Sequence, residues 1–108
     1  MKLIDLLKGL GIPATYMRFT SKQRPPYAVY YGAGQDKMIA DDEPYVKRNN
    51  YTVEYYFAEK SAAREEQLEE AFTAHGFAYD KSEDVYISDE KINVIYYTVW
   101  RRKNGGPE

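Results

Sequence analysis

The stretch that decides the fold is Asn50-Tyr-Thr-Val-Glu-Tyr-Tyr-Phe-Ala58. Large apolar or aromatic residues occupy every second position, and this period of two is typical of a β-strand with one buried face. Because successive side chains point to opposite sides of a strand, the residues can be assigned to two faces. One face carries Tyr51, Val53, Tyr55 and Phe57, and the other carries Thr52, Glu54 and Tyr56. The remaining elements are placed around this strand.

Two further tyrosine-rich segments alternate in the same way, at 27–32 and at 92–100. Residues 77–81 and 85–87 continue the β-like pattern, and Ser88-Asp-Glu-Lys91 reads as a hairpin turn before the last strand. Residues 14–19 and 37–40 are weaker strand candidates. The sequence therefore predicts a sheet of about four to five strands.

Two helices complete the pattern. Leu3, Leu6, Leu7 and Leu10 recur at helical spacing, and Gly9 or Gly11 ends this first helix. The second helix begins at the N-cap Ser61 and runs to about His75, where Gly76 suits a left-handed cap. We expect its buried stripe to be Leu68, Ala71, Phe72 and His75. We expect its solvated face to be Glu65, Glu66, Glu69 and Glu70.

The element order is α-β-β-(β)-α-β-β, which predicts an α+β fold with one mostly antiparallel sheet. Two helices cannot cover both faces of such a sheet, so we expect both on one face. Residues 1–101 are assigned to a single domain, and residues 102–108 to a polar, disordered tail. Residues 35–50 read as a long polar loop with a turn at Asp41-Asp-Glu-Pro44, of the kind that is often functional or mobile.

The composition of the chain argues against several classes of function. The chain has no cysteine, one histidine (His75) and a net charge of −2, which removes thiol chemistry and argues against histidine metal sites and catalytic triads. The acidic residues around Asp41 lack the spacing of a calcium loop, and Gly32-Ala-Gly34 lacks the Lys-Ser/Thr ending of a phosphate loop. No apolar run approaches a membrane span. We therefore expect a cytoplasmic, non-enzymatic protein with no catalytic, metal or cofactor-binding residue.

The most informative feature is twelve tyrosines in 108 residues. Three adjacent pairs, at 30–31, 55–56 and 96–97, each place one ring on each face of the sheet. The face away from the helices should therefore carry aromatic rings, which makes it a candidate protein interface. The candidate contact residues are Tyr30, Tyr56 and Tyr97, with Lys47 and Arg48 from the long loop.

A nucleic-acid-binding module is the alternative, because exposed tyrosines beside Arg101-Arg-Lys103, with Lys47 and Arg48, resemble a base-stacking platform. The slightly acidic net charge disfavours it. A small-ligand protein or minor enzyme is a third reading, and it requires a pocket with convergent polar groups.

Several segments, in their order, carry a resemblance. They are Gly9-Leu-Gly-Ile-Pro13, Pro25-Pro-Tyr-Ala-Val-Tyr-Tyr31, Asp42-Glu-Pro-Tyr-Val-Lys47, His75-Gly-Phe-Ala-Tyr79 and Tyr86-Ile-Ser-Asp-Glu-Lys91. Through them the chain resembles small head–tail joining and tail-completion proteins of long-tailed phages and of prophages in Gram-positive bacteria, and is similar to tail terminators.

The resemblance implies a structural subunit that is a monomer when free and forms a homo-oligomeric ring on assembly. Its implied partners are tail-tube and head-completion proteins, and no membrane is involved. Its implied location is the cytoplasm of the bacterial host, and then the virion. The resemblance transfers no contact residue position by position.

Overall fold

A computed structural model of the chain describes the backbone of residues 2–40 and 43–101, and the side chains of residues 2–35 and 48–101. The α+β class is confirmed, with a mostly antiparallel sheet of six strands where four to five were predicted. In chain order the elements are α1 (Leu3–Lys8), β1 (Ala14–Tyr16), β2 (Tyr27–Ala40), β3 (Glu43–Phe57), α2 (Ala62–Ala74), β4 (Phe77–Lys81), β5 (Val85–Ile87) and β6 (Ile92–Arg101).

The strands lie in the order β1-β2-β3-β6-β4, and β5 pairs with the other end of the same edge of β6. Among the strand pairs that the structure describes, β1–β2 alone is parallel. The gap between β4 and β5 is bridged by Ser82. Its N–H donates to the Tyr96 carbonyl at 2.9 Å, and its Oγ accepts from the Tyr96 N–H at 2.9 Å. One serine therefore keeps the ladder continuous where the strand is interrupted.

Both helices pack on one face of the sheet, as predicted. α1 buries Leu3, Leu6 and Leu7, and α2 buries Leu68 and Phe72. Fully burying one such side chain stabilises the fold by about 1.5–3 kcal/mol. The sheet contributes alternate residues of β3, β6 and β4 to the same core, namely Val53, Tyr55, Phe57, Ile95, Tyr97, Val99 and Phe77.

The ends of α2 follow the predicted chemistry. The Ser61 side chain caps the first turn by accepting from the Arg64 N–H at 3.2 Å. Gly76 has φ +84°, the left-handed conformation that a glycine adopts readily. The Arg101 guanidinium donates to the His75 carbonyl at 3.2 Å, where a cation complements the helix dipole.

The predicted faces of α2 were partly wrong. Glu65 is buried, with 3% of its surface exposed, and Glu69 is half-buried, whereas His75 is exposed. Glu65 and Glu69 stand three or four residues from Leu68 and Phe72, so they share the stripe that faces the sheet. Lysines from outside the helix form ion pairs with both carboxylates, and these ion pairs offset the cost of withdrawing the two charges from water.

The prediction of a long loop at 35–50 was also wrong. β2 and β3 continue as a hairpin through Gln35↔Asn49 and Lys37↔Lys47 to Ala40↔Glu43, with register shifts after Gly32 and after Met38. Gly34 takes φ +93°, so the glycines form an irregularity in the hairpin rather than its end. The predicted brief strand at 37–40 is confirmed. Asp41 and Asp42 of the predicted turn, and the predicted tail at 102–108, lie outside the described residues.

Within the described residues, the helices are too short and too polar to cross a membrane.

Candidate functional site

The three tyrosine pairs divide between the two faces of the sheet, as predicted. The first set, Tyr30, Tyr55 and Tyr97, packs in or against the core beneath the helices. The second set, Tyr31, Tyr56 and Tyr96, lies on the opposite face, which we call the open face. Cross-strand register defines this face, because residues that sit opposite each other share a side. Its central rows are Tyr27↔Tyr56↔Val94 and Val29↔Glu54↔Tyr96.

Glu54 lies at the centre of the open face and accepts hydrogen bonds from two tyrosines. The Tyr31 hydroxyl donates to Oε2, and the Tyr56 hydroxyl donates to Oε1 at 2.6 Å. Tyr27 stacks on Tyr56 with ring centroids 4.8 Å apart. Tyr96 stands opposite Glu54 on β6 and is 37% exposed. These residues are called the tyrosine cluster below: Tyr27, Tyr31, Tyr56 and Tyr96, with Glu54 between them.

The hydroxyls of Tyr31 and Tyr56 keep their protons at neutral pH. Burial, followed by the hydrogen bond to Glu54 and its negative charge, raises the pKa of Tyr31 to about 12. Burial and the same carboxylate also raise the pKa of Tyr56. The two hydroxyls therefore act as fixed donors to Glu54. Among the side chains that the structure describes, no lysine or arginine forms an ion pair with this carboxylate.

A second aromatic contact lies where the hairpin leaves the sheet. The Arg48 guanidinium sits 4.2 Å from the centroid of the Trp100 ring, and its Nε donates to Asn50 Oδ1 at 3.0 Å. Gln35 Nε2 donates to Asn49 Oδ1 at 2.6 Å nearby. Arg48, proposed from sequence as a contact residue, is thus held by stacking on an aromatic ring of the same chain.

The other sequence-predicted contact residues lie in different parts of the structure. Tyr56 lies in the tyrosine cluster, whereas Tyr30 lies on the helix face, edge-on to Tyr16 at 5.2 Å. Tyr97 is 0% exposed and donates to Glu69 Oε2 at 2.7 Å, so it belongs to the core and offers no contact surface in the folded chain. The Lys47 side chain lies outside the described residues, and its backbone pairs with Lys37.

Sequence reasoning missed Tyr31, Glu54 and Tyr96 as neighbours. Alternation placed Glu54 and Tyr56 on one face of β3, but only the register of β2 and β6 against β3 brings the other rings beside them. A single carboxylate within a tyrosine-rich face was the signal that the sequence offered.

A separate charged network lies between α2 and the strands. Glu65 contacts Lys60 at 2.9 Å and Lys81 at 3.0 Å, and Glu69 contacts Lys81 at 2.7 Å. Asp84 extends the chain by pairing with Lys60 at 2.9 Å. The Glu65 Oε2 atom has no well-directed hydrogen bond, although Lys60 Nζ lies beside it. The alternating charges join the helix to β4 and to the segment after it.

The network shifts the pKa values of Lys81 and Glu69 in the directions that favour their charged forms. The hydrogen bond to Glu69 raises the pKa of Lys81 to about 12, despite the opposing effect of burial. Burial opposes ionisation of Glu69, but hydrogen bonds from Lys81 and Tyr97 outweigh it and lower the pKa of Glu69. These charges satisfy one another, as structural ion pairs do.

The described residues form few arrangements that suit metal binding or catalysis. None of their histidine and carboxylate side chains groups in threes to hold a metal ion. A shallow depression of about 350 Å³ beside α2 is lined by Glu66, Glu69, Glu70, Thr73, Ala74 and Tyr79. Within it the Tyr79 hydroxyl donates to Glu69 Oε1 at 3.5 Å, and the same Glu69 carboxylate is already paired with Lys81 at 2.7 Å. The tyrosine cluster is therefore the candidate functional site.

Comparison with protein-family models gave no match to this chain, and a search among curated proteins gave none either.

Proposed function

We propose that this chain is a structural subunit of a phage or prophage virion, a tail terminator or head–tail joining protein that works by self-association and docking rather than by catalysis. It would act in the cytoplasm of a bacterial host and then as part of the virion. Its partners would be further copies of itself, tail-tube proteins and head-completion proteins. The observation that carries this proposal is the projecting hairpin of β2 and β3.

The hairpin, which we call the β-arm, comprises residues 32–40 and 43–49. Within the described residues, strand pairing of β2 with β1 ends at Tyr30, and pairing of β3 with β6 begins at Asn50. Beyond these points only two strands remain, over a length of roughly 30 Å at about 3.3 Å per residue. Both outer edges of the β-arm therefore carry backbone groups that no other described strand pairs with.

Such a ribbon supports an assembly role for two physical reasons. A two-stranded hairpin alone is marginally stable in water and gains stability when it packs against another surface. An unpaired edge also accepts an added strand from another chain. A ring subunit needs two different patches that meet head to tail, and the β-arm and the open face provide two.

Among the basic residues suggested for nucleic-acid binding, the two whose side chains the structure describes, Arg48 and Arg101, have contacts within the chain. Arg48 stacks on Trp100, and the Arg101 guanidinium lies 4.6 Å from the centroid of the Phe77 ring. Binding a phosphate backbone requires cations directed toward solvent. These contacts favour a protein partner over nucleic acid.

The proposal is tested by shortening the β-arm. Replacing residues 37–47 with Asn-Gly places a two-residue turn next to the Asp36↔Arg48 pair, which suits a hairpin and retains Arg48 beside Trp100. Sedimentation velocity and native mass measurement across concentration should show a larger closed species for the natural chain and a monomer for the shortened one. The control is an unchanged thermal transition of the body. A natural chain that stays monomeric at high concentration, and that fails to bind tail-tube ends, would overturn the proposal.

A further inference from the structure

We propose that the tyrosine cluster of the open face is a binding site for an arginine side chain of a partner protein. This inference rests on the proposed function in one respect, namely that the open face is a docking surface. It adds the chemistry of the group that docks.

The first argument is the uncompensated charge of Glu54. The half-buried Glu69 and the buried Glu65 each have a lysine within 3.0 Å. Glu54 is also half-buried, yet the described side chains supply it only with the neutral hydroxyls of Tyr31 and Tyr56. A carboxylate withdrawn from water gains most from a cation, because attraction strengthens as the surrounding dielectric falls.

The second argument is the remaining acceptor capacity of the carboxylate. An ionised carboxylate has two oxygens and about four acceptor positions. The Tyr31 hydroxyl occupies one position on Oε2, and the Tyr56 hydroxyl occupies one on Oε1. One position on each oxygen remains, and two parallel N–H groups of a guanidinium match such a pair.

The third argument is the aromatic surround. Burial is the main cause that raises the pKa of Tyr27, and the negative charges of Glu90 and Glu54 raise it further, so two carboxylates lie near this part of the cluster. Tyrosine ring faces attract cations, and a planar, weakly hydrated guanidinium stacks on them better than an ammonium does. The chain already uses this contact twice, with Arg48 on Trp100 and Arg101 on Phe77. The complement of a carboxylate framed by tyrosine rings is therefore arginine.

The experiment uses the full chain and N-acetyl-arginine amide as the probe. Side-chain NMR of the tyrosine rings should show saturable shifts at Tyr31, Tyr56 and Tyr96, and none with N-acetyl-leucine amide. Glu54→Gln keeps the shape and removes the charge, and should weaken binding about tenfold, since charge-assisted hydrogen bonds are roughly twice as strong as neutral ones. Glu66→Gln, on the exposed side of α2, is the matched control and should bind as the natural chain does.

Several outcomes would overturn the inference. They are an absence of shifts, equal shifts in Glu54→Gln with unchanged core resonances of Val53 and Ile95, and equal binding of N-acetyl-lysine amide. Shifts at the cluster that depend on protein concentration without probe, and that persist unchanged in Glu54→Gln, would show that another copy docks on this face without an arginine at Glu54. If the chain binds arginine but never self-associates, this inference stands and the ring proposal fails. If the chain self-associates but does not bind arginine, the ring proposal stands and this inference fails.

Discussion

Glu54 and Glu65 lie on opposite sides of the same sheet and satisfy their charge in different ways. Glu65 is enclosed by the core and shared between Lys60 and Lys81. Glu54 is held by hydroxyls that place its oxygens but leave its charge uncompensated by the described side chains. The first arrangement stabilises the fold, and the second leaves binding capacity at the surface. The two carboxylates should therefore respond differently to mutation.

Removing the carboxylate of Glu65 should destabilise the fold. Glu65→Ala leaves Lys60 and Lys81 facing a cavity. Breaking a buried pair costs about 3–5 kcal/mol, but these lysines are 52% and 34% exposed and can be hydrated, so we expect about 1–2 kcal/mol. Urea unfolding measures the loss. Glu66→Ala, one residue along on the exposed side, should change the free energy of unfolding by under about 0.5 kcal/mol. Equal effects of the two substitutions would contradict the role of Glu65.

Tyr31 should make stability depend on alkaline pH. Its pKa is raised to about 12 in the folded chain and is about 10 in an unfolded one. A raised folded pKa means that the contribution is complete below pH 10 and is lost as pH rises toward about 12. The difference in unfolding free energy between the natural chain and Tyr31→Phe should therefore shrink across this window.

The matched control for Tyr31 is Tyr86→Phe, since Tyr86 is 60% exposed and its hydroxyl has no described hydrogen bond. Denaturant unfolding at several pH values provides the measurement. A difference that stays constant for Tyr31→Phe, or one that shrinks as much for Tyr86→Phe, would show that the burial of the Tyr31 hydroxyl and its hydrogen bond to Glu54 are not the cause.

At the scale of elements, the join between β4 and β5 depends on one side chain. Ser82→Ala removes the Oγ that accepts from the Tyr96 N–H while retaining the backbone bond to the Tyr96 carbonyl. We expect a loss of about 1 kcal/mol, and exchange of the Tyr96 amide hydrogen about fivefold faster. Ser88→Ala, in the exposed turn before β6, is the control. Unchanged protection of the Tyr96 amide would show that the serine oxygen is dispensable.

The elements also show which parts of the fold the sequence can predict. α1, the Ser61 cap and the Gly76 turn follow from local chemistry that acts within a few residues. Most of the β-arm was missed because the sequence from 35 to 49 lacks the alternation of apolar and polar residues that marks a half-buried strand. The sequence predicts only part of the tyrosine cluster. Alternation shows on which face of the sheet each ring lies, but the register between distant strands decides which rings are neighbours.

At the scale of the whole molecule, β3 belongs to two environments. Residues 50–57 are flanked by β2 and β6, whereas residues 43–49 pair with β2 alone. Local stability follows the number of packed neighbours, so one strand should contain a stable half and a labile half. An assembly subunit benefits from this division, because a surface that orders only on docking weakens contact made too early.

Hydrogen exchange tests this division within a single strand, which is its own control. In dilute monomer, amides of residues 43–49 should exchange about a hundredfold faster than those of 50–57, since about 3 kcal/mol separates opening of a free ribbon from opening of a central strand. Conditions that produce the assembled species should slow exchange in the β-arm and leave 50–57 unchanged. A β-arm as protected as the central strand in dilute monomer would mean that its stability needs no partner, and the physical basis for the assembly proposal would be lost.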